Sequence, residues 1–190
     1  MNKTKRKIFE SSLNLFASKG YDGTSIEEIT SSIGLAKGTL YYHFSSKEEI
    51  FEFLIDEGVK LLENSIEIKT KDLENSIDKI RAIILIQLKV LVKYENLMTV
   101  VLRELWGSGA RSESCRKRVF DYIGKIEEIV KEGIANEEII DGDPYVIASG
   151  IFGFTSSSLI YKLRTNKTIN VKELYKEIDK TFINQLKYKK

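Results

Sequence analysis

The sequence predicts an all-α protein in two modules, a small N-terminal one of three helices and a larger helical one reached through a connector helix. Three observations carry that expectation. Apolar residues recur three and four positions apart through most of the chain, which marks helix faces rather than alternating strands. One proline and 12 glycines among 190 residues leave too few breaks for a many-stranded β domain. Serine or threonine repeatedly stands three residues ahead of glutamate, the pattern of a helix-opening capping box.

The first helix is expected over 5–19, with Ile8, Phe9, Leu13, Phe16 and Ala17 on one face and Gly20 as its stop. Thr24 and Ser25 precede Glu27 and Glu28 by three, so either opens a second helix that turns Ile26, Ile29 and Ile33 inward. Gly34 interrupts it, and the run from Leu35 to Phe44 forms a third short helix with Leu40 and Phe44 on its inner side. Ser45 and Ser46 precede Glu48 and Glu49 and start a fourth, passing Ile50, Phe51, Leu54 and Ile55 toward Leu62. No proline or Gly/Ser linker follows, so this helix connects the modules, and the expected domains are 1–47 and 48–190. Further helices are expected near 74–93, 97–106, 112–136, 144–164 and 171–187. Asp143-Pro144 marks the fourth of these starts, and Asn170, three residues before Glu173, marks the fifth.

Composition excludes several function classes. The chain is 42% hydrophobic and 31% charged, enough apolar material for a core and too much for a disordered polyelectrolyte. With one cysteine, Cys115, and one histidine, His43, neither a disulfide nor the usual zinc spacings are available, so no metal, no cofactor and no nucleophile–base pair is expected. An enzyme is therefore not the expected reading. The basic start runs into an amphipathic stretch rather than the apolar core of a signal peptide. The longest apolar runs, 83–91 and 147–154, fall short of the roughly 18 residues a span needs. A soluble, cytoplasmic protein without a membrane partner is expected. The net charge, +2 from 30 basic and 28 acidic residues, identifies no partner by itself.

Local arrangement is more informative. A helix, tight turn, helix unit can lay its second helix in the major groove of DNA. With Leu40 and Phe44 inward, that helix would display Lys37, Gly38, Thr39, Tyr41, Tyr42 and His43, and no acid occurs from Ser31 to Ser46. A phosphate-lined groove would repel carboxylates. Lys47 would sit in the first turn of the fourth helix, where the helix dipole disfavours a cation unless a phosphate docks there. Lys3, Lys5, Arg6 and Lys7 form a basic arm ahead of the first helix.

Together these residues form a recognisable pattern. Leu15-Phe16-Ala17-x-x-Gly20-Tyr21, Thr24-Ser25-Ile26-x-x-Ile29 and Gly34-Leu35-Ala36-Lys37-Gly38-Thr39-Leu40-Tyr41-Tyr42-His43-Phe44-x-Ser46-Lys47-Glu48 closely resemble the N-terminal DNA-binding domain of TetR-family transcriptional regulators. The resemblance covers about residues 5–52; the rest fits in length and helical character alone. It implies a three-helix helix-turn-helix domain followed by a helical effector-binding and dimerisation domain. The residues matching the family's DNA contacts are Thr24 or Ser25, Ala36, Lys37, Gly38, Thr39, Tyr41, Tyr42, His43 and Lys47. Within that set Lys37, Gly38 and Thr39 are placed to approach bases, and Tyr41, His43 and Lys47 to hold phosphates. Ala36 stands where the family often has serine.

A short recognition helix reads few base pairs, so a homodimer on a palindrome is expected. Small residues among apolar ones in 144–164, and the periodic face of the last helix, suggest an intersubunit bundle using Ile147, Gly150, Ile151, Phe154, Ser157, Leu174, Ile178 and Phe182. The same residues could equally complete the monomer core. Tyr94, Met98, Leu102, Trp106, Phe120 and Tyr122 could line a pocket for a small apolar or amphipathic effector, or be core. Arg103 and Glu104 could orient a polar ligand group or form a salt bridge. The expected function is a ligand-responsive regulator of double-stranded DNA, a repressor first, with an activator of the same fold or a helical adaptor without DNA binding as alternatives.

Overall fold

The computed structural model describes residues 2–165 and 169–188. The fold is all-α: α1 Lys3–Lys19, α2 Ile26–Ser32, α3 Lys37–His43, α4 Lys47–Thr70, α5 Ser76–Lys93, α6 Glu95–Leu105, α7 Ala110–Ala135, α8 Pro144–Thr165 and α9 Val171–Ile178. A π turn over Asp179–Ile183 and a last helical turn, Asn184–Leu186, follow. Packing groups the chain into two units, one made of the residues up to Val59 with Tyr94–Arg118, the other of Lys60–Lys93 with the chain from Val119.

In the first unit, Asn2 caps α1 by accepting from the Lys5 amide at 2.8 Å, and Gly20 ends it at φ 81°, its N–H on the Phe16 carbonyl. Ile8, Phe9, Leu13, Phe16 and Ala17 are buried along the face their spacing predicts. Full burial of each large side chain is worth about 1.5–3 kcal/mol. Of the two possible openers of α2, Ser25 takes the role. Its hydroxyl accepts from the Glu28 amide and the Glu28 carboxylate accepts from the Ser25 amide. Gly34, at φ 62°, makes the turn into α3, and α3 inserts Leu40 while Phe44 closes the core behind it. Ser46 caps α4 through the Glu49 amide at 3.1 Å.

α6 and the start of α7 pack with these N-terminal helices, which a boundary after Lys47 does not anticipate. The rings of Phe9 and Tyr94 meet edge to face at 5.7 Å. Arg103 donates to the Phe16 carbonyl at 3.0 Å, and Arg118 pairs with Glu52 at 2.6 Å and with Asp56. Cys115 is buried there, and desolvation, with Glu104 nearby, pushes its thiol up to about 12. It is an inert core thiol.

In the second unit α8 and α9 pack on α5, and Arg81 of α5 binds Asp179 at 2.7 Å. The single helix expected over 171–187 is interrupted, because the π turn inserts a wider coil after Ile178. The chain end then pairs with the segment after α7: Ile140 N–H donates to Leu186 O at 2.8 Å, and Tyr188 N–H to Glu138 O at 3.0 Å. α8 departs from the expectation that no segment is long and apolar enough for a span. Its 22 residues pass by length and composition, because glycine, serine and threonine separate its apolar residues and leave it nearly free of charge.

Candidate nucleic-acid interface

The surface of α3 is built by what its inner side buries. Leu40 is fully buried and Phe44 nearly so, which turns Lys37, Gly38, Thr39, Tyr41 and Tyr42 out to solvent. Tyr42 is 85% exposed, and its ring meets the half-buried His43 ring edge-on at 5.2 Å. A Cβ added at Gly38 would meet nothing within 4 Å, so folding does not require glycine at that position. Ala36 is the residue before the first turn of α3 and supplies no side-chain cap.

The side chains depart from the sequence expectation at three places. Thr24 is buried, and its hydroxyl is taken up by the Gly20 carbonyl at 2.8 Å, so of the pair Thr24 and Ser25 only Ser25 reaches the surface. Lys47 does not point its ammonium outward to a phosphate. It donates to the carbonyl oxygens of Tyr21 and Thr24, 2.9 Å from each, and lies 4.3 Å from the centre of the Tyr21 ring. The unfavourable position of a cation in a first helical turn is thus offset by two carbonyl dipoles. The basic arm is not an arm: Lys3, Lys5, Arg6 and Lys7 belong to α1, where Arg6 pairs with Glu10 at 3.1 Å and Lys5 lies over the Phe44 ring at 5.3 Å.

Glu27 and Tyr21 make contacts beside this surface that their places in the sequence pattern do not announce. Glu27, in the first turn of α2, ion-pairs with Lys37 in the first turn of α3. The hydrogen bond between them holds the Glu27 carboxyl below its ordinary range and the Lys37 ammonium above its own, so both stay charged. Tyr21 is buried beneath the α1–α2 turn, with the Arg111 guanidinium 4.1 Å from its ring centre. Arg111 is itself held by the buried Glu104 at 3.0 Å, which also receives the Ser112 hydroxyl. Glu104 and Arg103 therefore have structural partners of their own. Register alone would find the Glu27–Lys37 pair, since a helix-turn-helix sets the starts of its two helices side by side, but not the contacts that Arg111 makes from α7.

The residues expected to line a pocket are not gathered in one unit. Tyr94, Met98, Leu102 and Trp106 belong to the first, Phe120 and Tyr122 to the second. Met98 is buried, and Tyr94 and Leu102 are half-buried. Trp106, at the C-cap of α6, is 90% exposed and encloses nothing in its unit. Phe120 is also exposed, because Val119, Tyr122, Ile123, Ile126 and Val130 set the buried stripe of α7 and Phe120 lies off it. Tyr122 is buried beside Gln87 of α5, a residue that reads in sequence only as a break in an apolar run. The Gln87 amide donates to Ser156 Oγ at 2.9 Å and to Phe152 O at 3.3 Å.

The expected dimer face divides in two. Ile151, Leu174 and Ile178 are buried in this chain's own core, where α8 and α9 pack on α5. Ile147 and Gly150 are half-buried, and Phe154 and Ser157 are exposed. Phe154 stacks on Phe182 at 4.8 Å. The outward side of α8 adds Tyr145, Val146 and Tyr161, three exposed apolar side chains that the sequence reading did not single out.

Residues 8–54 match the family described as bacterial regulatory proteins, tetR family. Over 74 residues the chain is 39% identical to the biofilm operon icaADBC HTH-type negative transcriptional regulator IcaR of Staphylococcus aureus, covering 39% of this chain and 40% of IcaR. It thus spans about two fifths of the length of the curated relatives it matches. Along nearly the whole chain the structure resembles a candidate fatty acid metabolism regulator of Clostridium perfringens, with TM-score 0.89, 33% identity, and coverage of 96% of this chain and 100% of that one. It shares its fold with the transcriptional regulator FadR of Bacillus subtilis in complex with stearoyl-CoA, at TM-score 0.81 and 22% identity over 95% and 98% of the two chains.

Proposed function

Because the chain belongs to the tetR family of bacterial regulatory proteins and is a transcriptional regulator, we propose that it is a repressor that binds a palindromic operator as a homodimer and is released by an amphipathic small molecule. The observation that carries the DNA part is the exposed face of α3, with Gly38 open, Tyr42 in solvent and no acid from Ser31 to Ser46. On this reading residues 1–47 read DNA, and residues 48–190 bind effector and dimerise. Repression is favoured by the likeness to IcaR, a negative regulator. Ser25, Ala36, Lys37, Gly38, Thr39, Tyr41, Tyr42 and His43 form the DNA surface, and Lys47 shapes it from behind.

An acyl thioester of coenzyme A is the effector class to try first. The Clostridium perfringens neighbour is named for fatty acid metabolism, and FadR holds stearoyl-CoA. Such a ligand joins a long apolar chain to a polar carbonyl, and the Gln87–Tyr122 pair, buried among the largely apolar core residues of its unit, is the group proposed to meet that carbonyl. Dimerisation would use the exposed side of α8, with Phe154 and Ser157 joined by Tyr145, Val146 and Tyr161.

The test is selection of the purified protein against random duplexes, then titration of the selected duplex at several salt concentrations with and without stearoyl-CoA. A palindromic duplex, a steep salt slope and release by stearoyl-CoA are expected. Absence of any enriched duplex would overturn the DNA reading in favour of a helical adaptor. Enrichment with no release would overturn the effector class alone.

A further inference from the structure

We propose that Glu27 determines DNA specificity, by holding the Lys37 ammonium of the recognition helix and penalising every duplex that offers Lys37 phosphate alone. The inference rests on the DNA-reading function proposed above and adds to it a residue outside the matched contact set.

Glu27 and Lys37 are ten residues apart, on different helices, and their charged groups meet in solvent, the Lys37 ammonium 5.9 Å from the centre of the Tyr41 ring. Folding does not need the pair. α2 is already opened by Ser25 and Glu28, and α3 is anchored by buried Leu40. An exposed ion pair between two flexible side chains adds little to stability and exchanges readily. Its position is what matters, because it sets a carboxylate against a surface that otherwise carries none from Ser31 to Ser46.

Attraction to the DNA backbone is blind to sequence and grows with each cation that neutralises a phosphate. On an arbitrary duplex Lys37 has two courses. It stays with Glu27 and brings no net charge, or it leaves for a phosphate and exposes Glu27 to the polyanion. Both reduce non-specific binding. A guanine placed opposite Lys37 changes the balance, since its O6 and N7 offer a directed acceptor that compensates for the lost carboxylate. The carboxylate therefore weakens wrong sequences more than the right one, discriminating by a repulsive element.

The experiment is a double-mutant cycle on the full chain, with Glu27→Gln, Lys37→Ala and the double variant. Dissociation constants are measured on the selected operator and on a scrambled duplex at several salt concentrations. Glu27→Gln is expected to tighten scrambled binding about 10-fold and to steepen its salt slope by about one. Operator binding is expected to tighten less, so that discrimination falls at least about three-fold. The double variant is expected to discriminate as Lys37→Ala does. Equal tightening on both duplexes, or the same loss of discrimination with Lys37 already removed, would overturn the proposal, since either would mean plain repulsion by an acid near DNA. Glu27→Ala serves the same cycle if circular dichroism shows that the glutamine variant has lost helix. If the wild-type chain selects no duplex, it is the DNA reading that falls, and this inference with it.

Discussion

The ammonium of Lys47 lies 2.9 Å from the carbonyl oxygen of Thr24 and ties the start of α4 to the turn before α2. A second bond to Tyr21 and the Tyr21 ring complete the clamp. Removing it frees two carbonyls and loosens the frame on which α2 and α3 stand. Lys47→Ala is expected to cost about 1–2 kcal/mol in thermal unfolding and to weaken operator and scrambled DNA alike, without changing the salt slope. An unchanged melting temperature with a slope reduced by about one would instead identify Lys47 as a phosphate contact.

Gly38 separates folding from function. Nothing in the chain opposes a methyl group there, and glycine within a helix is intrinsically poor, so Gly38→Ala is expected to stabilise the fold by about 0.5–1 kcal/mol. The same methyl would stand between α3 and the base edges, so operator affinity is expected to fall at least about 10-fold. A melt and a binding titration on one preparation check both signs. Stabilisation with full affinity would remove Gly38 from the interface.

What sequence shows of this molecule is what repeats locally. The periodic face of α1, the capping box that opens α2 and the stops at Gly20 and Gly34 each lie within a few residues of their cause. The outward set of α3 followed from the burial of Leu40 and Phe44. Contacts that join distant segments were not legible. Lys47 reaches back to Tyr21, Arg111 lies over Tyr21 from α7, and Gln87 meets Ser156 69 residues later. Apolar type alone also left open which side of α8 faces inward, because the helix is apolar nearly all round. Packing on α5 decides it, burying Ile151 and leaving Val146 and Tyr161 outside.

Glu28 makes the α2 cap sensitive to acid. Its bonds to Lys19 first, and then to the Ser25 amide, hold its carboxyl at about 2, below the ordinary 4.5. A carboxyl depressed in the folded state stabilises at pH above its unfolded value, and that contribution is lost as pH falls from about 4.5 toward 2. Because the group is exposed, salt should shrink the effect. Melting temperatures across this range are expected to fall less steeply for Glu28→Gln than for the wild type. Parallel curves would show that the cap does not depend on the charge.

The outward side of α8 is the proposed site of dimerisation, and Val146 is 63% exposed on it. Val146→Glu removes no contact in the chain's own core, so the helical spectrum and melting of the protomer should be kept. Two carboxylates brought together across a two-fold interface would oppose association. The variant is expected to sediment as a monomer at concentrations where the wild type is a dimer, and to lose the palindromic operator. A dimer of unchanged strength would place the interface elsewhere.

Gln87 carries the final prediction. Its side chain is wholly buried, with its amide on Ser156 Oγ and Phe152 O and its carbonyl receiving the Tyr122 hydroxyl at 3.4 Å. Burial, with Glu63 nearby, pushes the Tyr122 phenol up, so it remains a neutral donor throughout the working range. Gln87→Leu keeps about the same volume but leaves two buried hydroxyls without that partner, at an expected cost of about 2–4 kcal/mol. Tyr122→Phe removes only a long bond and should cost less than about 1 kcal/mol. Because they share one bond, the double variant should be less destabilised than the sum of the two. A core amide kept only for packing would leave effector response unchanged in Tyr122→Phe. If the pair serves the carbonyl of an acyl thioester, Tyr122→Phe should raise the stearoyl-CoA concentration needed for operator release while operator affinity itself stays the same, a separation that loss of stability cannot produce.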